Sequence, residues 1–182
     1  AAVEAAIASA VADSNLCYRS SLVPMQLRVV HMAEVVYTPT GLLDTDLSRL
    51  KNPSDGSMDN VHALRDQYGA DLVCMLTTTS DSGGLASTMQ HPSHNFESSG
   101  FNVNVWDQLG APSYTLAHEI GHNMGCLHNR EDSTWDTNYE LSAFCFGKRW
   151  YQGGQGYRTV MSYDSNPASY GNRIPFFSNP NI

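Results

Sequence analysis

His118, Glu119, His122, Gly125 and His128 stand in the spacing H-E-x-x-H-x-x-G-x-x-H. In a helix, residues four apart share one face, so His118 and His122 can offer both imidazoles to a single ion. Glu119 is the next residue round the helix, beside the open side of that ion. A glycine at 125 accepts a positive φ, so the chain can leave the helix there and swing His128 back as a third ligand. Three nitrogens leave one corner of a tetrahedral zinc for water, which marks a catalytic site rather than a closed structural one. The chemistry that follows is hydrolytic. Zinc draws the pKa of water from 15.7 to about 7. Glu119 can act as general base for that water and pass the proton to a leaving amine. The cation also polarises a carbonyl and steadies the oxyanion that develops on it. The expected set is therefore one catalytic Zn2+ on His118, His122 and His128, with Glu119 as the base. Ordinary surface or core histidines on a helix are the alternative, but five fixed residues meet by chance in a chain this long with probability on the order of 10⁻⁵.

A second stretch, Arg158-Thr159-Val160-Met161-Ser162-Tyr163, follows about thirty residues later. Alone, Met161 reads as core filler. After the histidine motif, the two together resemble the metzincin clan of zinc endopeptidases, whose Met-turn forms a floor under the three histidines. The resemblance implies that Met161 supports the site without ligating the metal. Tyr163 occupies a place where the astacins and serralysins carry a tyrosine that serves as an additional zinc ligand or oxyanion donor; a tyrosine packed in the loop is the alternative. Asn123 matches the H-N-x-G pattern of the reprolysin-like branch. The segments Asp55-Gly56-Ser57-Met58-Asp59, Arg65-Asp66-Gln67-Tyr68-Gly69-Ala70-Asp71 and Arg173-Ile174-Pro175-Phe176-Phe177-Ser178-Asn179-Pro180 are similar to the bacterial peptidyl-Asp metalloendopeptidases. One position departs from the branch: Asn129 stands where it usually has an aspartate, so the carboxylate that would brace the Met-turn is missing.

The resemblance implies an α/β (α+β) metzincin catalytic domain. Its parts are a mixed, twisted β-sheet with backing helices, a zinc-binding helix and a loop-rich C-terminal subdomain. Residues 1–182 are expected to form one domain, with an upper subdomain to about 125 and a lower one from about 126 to 182. The resemblance further implies cleavage on the amino side of Asp or Glu. That preference requires a cation in the pocket after the scissile bond, for which Arg173 is the candidate and Arg158 the second; surface arginines are the alternative for both. A metzincin-shaped module that binds a protein without cleaving it is the competing function, and Glu119 argues against it.

Composition sets the frame. The chain has 182 residues, enough for one domain with a real core and few for two. Hydrophobic residues make up 41% and the net charge is -8, with a pI near 5.1. No basic cluster tracks a nucleic-acid backbone, and no apolar run approaches the roughly 20 residues that span a membrane. The expected partners are protein or peptide substrates, with no nucleic acid, no membrane and a monomeric chain. A charged fraction of only 15%, with abundant Ser, Asn, Gly and Tyr, suits a secreted protein. The alanine-rich start lacks a basic n-region and is not a signal peptide. Cys17, Cys74, Cys126 and Cys145 allow three full pairings. Cys126 with Cys145 and Cys17 with Cys74 are the expected pairs, a buried thiol at Cys74 being the alternative. Calcium could use Asp44, Asp46, Asp55 or Asp59, but no EF-hand pattern is present and helix capping is the simpler role. The H-P-S-H pair, His91 and His94, reads as a polar surface loop.

Periodicity supplies the elements that must hold the motif. A helix is expected over Ala2–Ala12, stopping near Asn15. A strand is expected over Met25–Tyr37. A short helix follows, capped by Asp44, and a longer one opens at Asp55 or Ser57 and closes at Gly69. Asp71–Thr78 reads as a strand covered on both faces. Ser80–Gly84 reads as a turn and Leu85–Met89 as a strand. Phe101–Trp106 alternates, as a half-exposed edge strand would, and could pair with an extended peptide across a cleft from the zinc. Pro112 can open the zinc helix, with Ala111 or Ser113 near its cap.

Overall fold

The computed structural model describes residues 2–78, 81–131, 140–164 and 170–182. Helix α1, Ala2–Ser20, runs well past the expected stop. Asn15 is not a terminator. Its amide faces inward and clamps the backbone of Leu27, donating from Nδ2 to the carbonyl at 2.9 Å and accepting the Leu27 N–H at 2.7 Å. That pairing is tertiary, so no local signal announces it. The next stretch, from Met25 to Tyr37, is extended, as alternation suggests, but joins no β-ladder among the described residues. It is held instead by the Asn15 clamp and by Val35 and Tyr37 against the core.

Helix α2, Leu43–Lys51, has Leu42 at its N-cap and no side-chain cap, so Asp44 lies in the first turn and does not provide the expected cap. Its first turn is tied by a distant carboxylate, Asp81, which accepts the Leu43 N–H at 3.2 Å. Asp46, not Asp44, is the buried acid of this helix. Its Oδ1 accepts from the Tyr37 hydroxyl at 2.6 Å and from the Thr40 N–H at 3.0 Å, fastening the chain that leads into α2. Helix α3, Asn60–Tyr68, ends on Gly69 in the left-handed region, as read from the sequence.

Three strands form the main sheet: β1 (Val73–Thr77), β2 (Gly84–Ala86) and β3 (Phe101–Val105). Their order is β1-β3-β2, with β1 parallel and β2 antiparallel to β3. The turn expected over Ser80–Gly84 begins outside the described residues. The expectation for β3 is corrected here. It is the central strand, and all five of its residues are buried. Phe101 and Val103 join Leu43, Leu47, Leu50, Met58 and Met75 in one cluster; burying a side chain such as Phe101 contributes about 1.5–3 kcal/mol. The alternating asparagines suggest a wet face because they are polar, yet Asn102 and Asn104 are fully buried. They link to each other and to the helix beyond: Asn104 donates to Asn102 and Asn102 to Asn123, each at 2.7 Å, while Asn104 Oδ1 has no partner among the described residues. Asn123 closes the chain on the carbonyls of Ser87 and Phe101. The edge strand on this side is β2.

Helix α4, Thr115–Asn123, lies against β3 and α1, with every residue buried. Tyr114, in the left-handed region, precedes it, so Pro112 sits in the approach rather than at the first turn. Leu116 and Ile120 pack against Ala10 and Leu109, while Ala117 meets Cys17 and Tyr18 of α1. The remaining chain forms a small second sheet from β4 (Arg149–Gln152), β5 (Gln155–Arg158) and β6 (Asn172–Arg173). A mixed α/β frame with a loop-rich end is thus what the structure shows.

The expected disulfides are absent, and all four cysteines are free thiols. Cys17 is buried in the α1–α4 core beside Tyr18, whereas Cys74 is exposed on β1, so the two occupy different environments. Cys126 and Cys145 come close, because Leu127 and Phe146 form an isolated parallel bridge, but they are not bonded.

Candidate active site

The one group of metal-ligating side chains among the described residues is His118, His122 and His128, whose donor atoms all lie within 4.8 Å of one another. Helix α4 delivers the first two from one face. Gly125, at φ +87, then turns the chain. The Cys126 N–H caps the helix by donating to the Gly121 carbonyl at 2.8 Å. The return strand pairs through Leu127 with Cys145 and Gly147, which brings His128 over the first two rings.

The hydrogen bonds select one tautomer. His118 Nδ1 lies 2.9 Å from the Val160 carbonyl and His122 Nδ1 lies 2.8 Å from the Cys126 carbonyl. A carbonyl only accepts, so each Nδ1 carries the proton and each Nε2 presents a lone pair inward. His128 Nε2 stands 3.1 Å from His118 Nε2 and 3.0 Å from His122 Nε2. Three nitrogens on a tetrahedral ion with bonds of about 2.0–2.1 Å would stand roughly 3.3 Å apart. Converging lone pairs at this spacing repel unless a cation lies between them, so the set fits a three-nitrogen divalent metal. Burial holds His118 well below the ordinary histidine range, helped by the neighbouring His122. It likewise brings His122 down to about 4. Both rings therefore stay neutral, the form that ligates.

Glu119 is 4% exposed. Burial pushes its carboxyl up to about 8, against the pull of Arg173. It lies against β2: a Cβ built on Gly84 would stand 2.7 Å from its Oε1. Only glycine leaves room for the carboxyl there, a requirement no sequence pattern marked.

Met161 is buried and lies against the helix that carries His118 and His122. A Cβ on Gly121 would fall 2.5 Å from its sulfur, so the glycine inside the motif is where the floor meets the helix. Gly147 passes equally close to the backbone of Met161 and Ser162. Asn129, the departure from the branch pattern, braces the same turn. Its Oδ1 accepts from Ser162 Oγ at 3.1 Å and from the Tyr163 N–H at 3.0 Å, and its Nδ2 donates to Glu131 at 3.1 Å. An amide thus does the bracing expected of a carboxylate, and Glu131 takes up its extra N–H. Asn129, Ser162, Gly84 and Gly147 were not singled out as functional from sequence; the one available signal was the odd residue after His128.

Tyr163 lies beside the third ligand, its ring centroid 4.0 Å from that of His128 and tilted 39° to it, and 6.1 Å from that of His118. It remains 45% exposed and is not packed away in the loop. Burial and the Glu119 charge both push its hydroxyl up. Arg173 is not a free surface arginine. It donates to the carbonyls of Ser113 and Ser162, and its buried Nε has no partner among the described residues. Burial, and Arg158 beside it, bring it down to about 10. His91 and His94 join no metal-ligating group among the described residues, and neither do Asp44, Asp46, Asp55 and Asp59.

Comparison with known proteins agrees with this geometry. Residues 1–178 match the family described as Metallo-peptidase family M12. The chain is 34% identical over 174 residues to a peptidyl-Asp metalloendopeptidase of Stenotrophomonas maltophilia (strain R551-3), covering 95% of this chain and 39% of that protein. It is 33% identical over 173 residues to one of Xanthomonas campestris pv. campestris, covering 95% and 38%. A Pseudomonas fragi protein of the same name is 28% identical over 170 residues, covering 93% and 84%. The chain thus spans about two fifths of the length of the first of these relatives. Three imidazoles on H-E-x-x-H-x-x-G-x-x-H, a methionine floor beneath them and this match along nearly the whole chain have one reading: the protein belongs to the M12 family of metallopeptidases.

Proposed function

We propose that the chain is the catalytic domain of a secreted zinc endopeptidase that prefers to cleave on the amino side of Asp or Glu. The observation that carries this is the convergence of three neutral imidazoles beside a buried carboxylate. Zinc is the ion this donor set suits, since three nitrogens with an open position are typical of catalytic zinc. Such an ion supplies Lewis acidity, lowering the pKa of water and polarising a carbonyl.

The chain's own residues do the rest. With a cation at the histidines drawing its carboxyl down from about 8, Glu119 would be ionised and would accept the proton of the attacking water and return it to the departing amine nitrogen. Tyr163, over His128, is placed to donate its hydroxyl proton in a hydrogen bond to the developing oxyanion. Met161 supports the rings from below. Strand β2 is the edge beside Glu119, and an extended peptide laid antiparallel along it would bring its carbonyl over the histidines. Arg173, within electrostatic reach of Glu119 and Tyr163, supplies the cation for an acidic side chain after the scissile bond. The relatives named as peptidyl-Asp metalloendopeptidases support that preference. Residues 1–182 act as a single monomeric domain, split near 125 into an upper and a lower part. Secretion rests on the low charge density and polar composition.

The test is a digest of a proteome with and without a chelator, followed by sequencing of the new termini. Chelator-sensitive fragments beginning with Asp or Glu are expected. No fragments would favour the non-cleaving binding module, and fragments without an acidic start would remove the preference. Arg173→Ala should lower kcat/KM for a peptide with Asp after the scissile bond by about tenfold to a hundredfold relative to its Asn counterpart. An unchanged ratio would remove Arg173 from the pocket.

A further inference from the structure

Arg158 and Arg173 are direct neighbours across the β5–β6 pair. Like charges set opposite each other destabilise a sheet. Here they are also drawn together, because both guanidinium groups donate to one oxygen, the Ser162 carbonyl, at 3.2 and 3.3 Å. Arg158 is further held by the Tyr170 carbonyl at 2.9 Å. Ser162 lies between Met161 and Tyr163, so the pair is anchored on the turn that floors the histidine site. Neither arginine makes an ion pair among the described residues. The nearest carboxylate in sequence, Asp164, accepts the Tyr170 N–H on its Oδ1 at 2.6 Å. Two partly desolvated cations thus share a carbonyl beside the site, and one keeps a buried Nε–H unused. Removing charges from water is costly. Asp164 acts on both arginines and Glu119 on Arg173 only through space, without an ion-pair contact among the described residues, and a ligand that brings negative charge into contact recovers part of that cost.

A carboxylate brings one charge and two oxygens. A phosphoryl group brings a charge of about −1.5 to −2 and three acceptor oxygens, and guanidinium forks bind it in a bidentate manner. Both guanidinium groups reach one point, a separation that a single tetrahedral oxyanion can bridge. Two separate carboxylate side chains there would face each other's charge. We propose that Arg158 and Arg173 form one two-charge receptor for a dianionic side chain, so that the protein also cleaves on the amino side of phosphoserine. The inference rests on the acidic-pocket reading above and extends it from a single cation to a matched pair.

Four peptides that differ only in the residue after the scissile bond test it: aspartate, asparagine, serine and phosphoserine. Phosphoserine should be cleaved with kcat/KM within about tenfold of aspartate and at least about a hundredfold above serine. Arg158→Ala should lower the phosphoserine value at least about tenfold more than the aspartate value. Arg158→Lys, which keeps a charge but loses the fork, should shift the ratio the same way by less, and serves if the alanine variant does not fold. Phosphoserine cleaved no faster than serine while aspartate still outpaces asparagine would overturn the two-charge receptor and leave the acid preference standing. Aspartate no faster than asparagine would overturn the acid preference itself. An equal loss for both substrates in the Arg158 variants would also overturn the receptor.

Discussion

Glu119→Gln yields a folded protein that binds its metal as before and hydrolyses peptides at least about 10³-fold more slowly. The side chain sits in a slot bounded by Gly84, where no Cβ would fit. Glutamine has the same shape, so packing is undisturbed. Burial raises the carboxyl to about 8, which shows that the environment disfavours its charge. A neutral amide of the same shape therefore fits the slot, and the midpoint of unfolding of the metal-free protein should be unchanged or higher. What the amide lacks is a basic oxygen that can take a proton from water and give it up to the amine. Metal content and thermal unfolding of the variant, measured beside kcat/KM, separate this from a damaged fold. Activity within tenfold of the parent would remove Glu119 from the role of base.

The second large effect lies outside the ligand set. Asn129→Leu strips the acceptor from Ser162 Oγ and from the Tyr163 N–H. Ser162 is fully buried, so its hydroxyl has no water to turn to. An unsatisfied buried donor costs about 1–3 kcal/mol, and with the second, partly buried donor the total should reach about 2–4 kcal/mol. Urea unfolding reads this as a lower midpoint with an unchanged slope. Because Asn129 follows His128 directly, metal affinity should fall as well. Asn129→Asp is the informative companion. It keeps the acceptor but loses the N–H given to Glu131, leaving two carboxylates face to face, and should cost about 1 kcal/mol or less because Glu131 is largely exposed. Adding Glu131→Gln should restore most of that loss. No effect of leucine at 129 would mean that the Met-turn is braced some other way.

How much of this was legible before folding depended on whether the physics was local. The ligand pair, the glycine turn and the third histidine are helix geometry and φ preference, and they emerge as read. Met161 and Arg173 could be placed only through resemblance; Met161 is buried against the helix of the histidines, and Arg173 is tied to the carbonyl of Ser162. The features that escaped are those in which distant residues satisfy one another. Asn15 reads as a helix stop until Leu27 is seen to occupy its amide. Asn102 and Asn104 read as a solvent face until Asn123 completes their chain, and that misreading made the central strand look like an edge. Gly84, Gly121 and Gly147 are needed because of atoms from Glu119 and the Met161–Ser162 turn, which no window of sequence contains. The cysteine pairs were read from number and from the short separation of Cys126 and Cys145, and neither says which thiols meet.

Zinc K-edge absorption on the purified chain, with its metal content determined in parallel, bears most directly on the arrangement at His118, His122 and His128. One ion per chain is expected, with three nitrogens at about 2.0–2.1 Å and one exchangeable oxygen from solvent. Each of His118→Ala, His122→Ala and His128→Ala should lower that occupancy. A chain that binds no ion, or one whose ion is closed by a fourth protein ligand, would contradict the account.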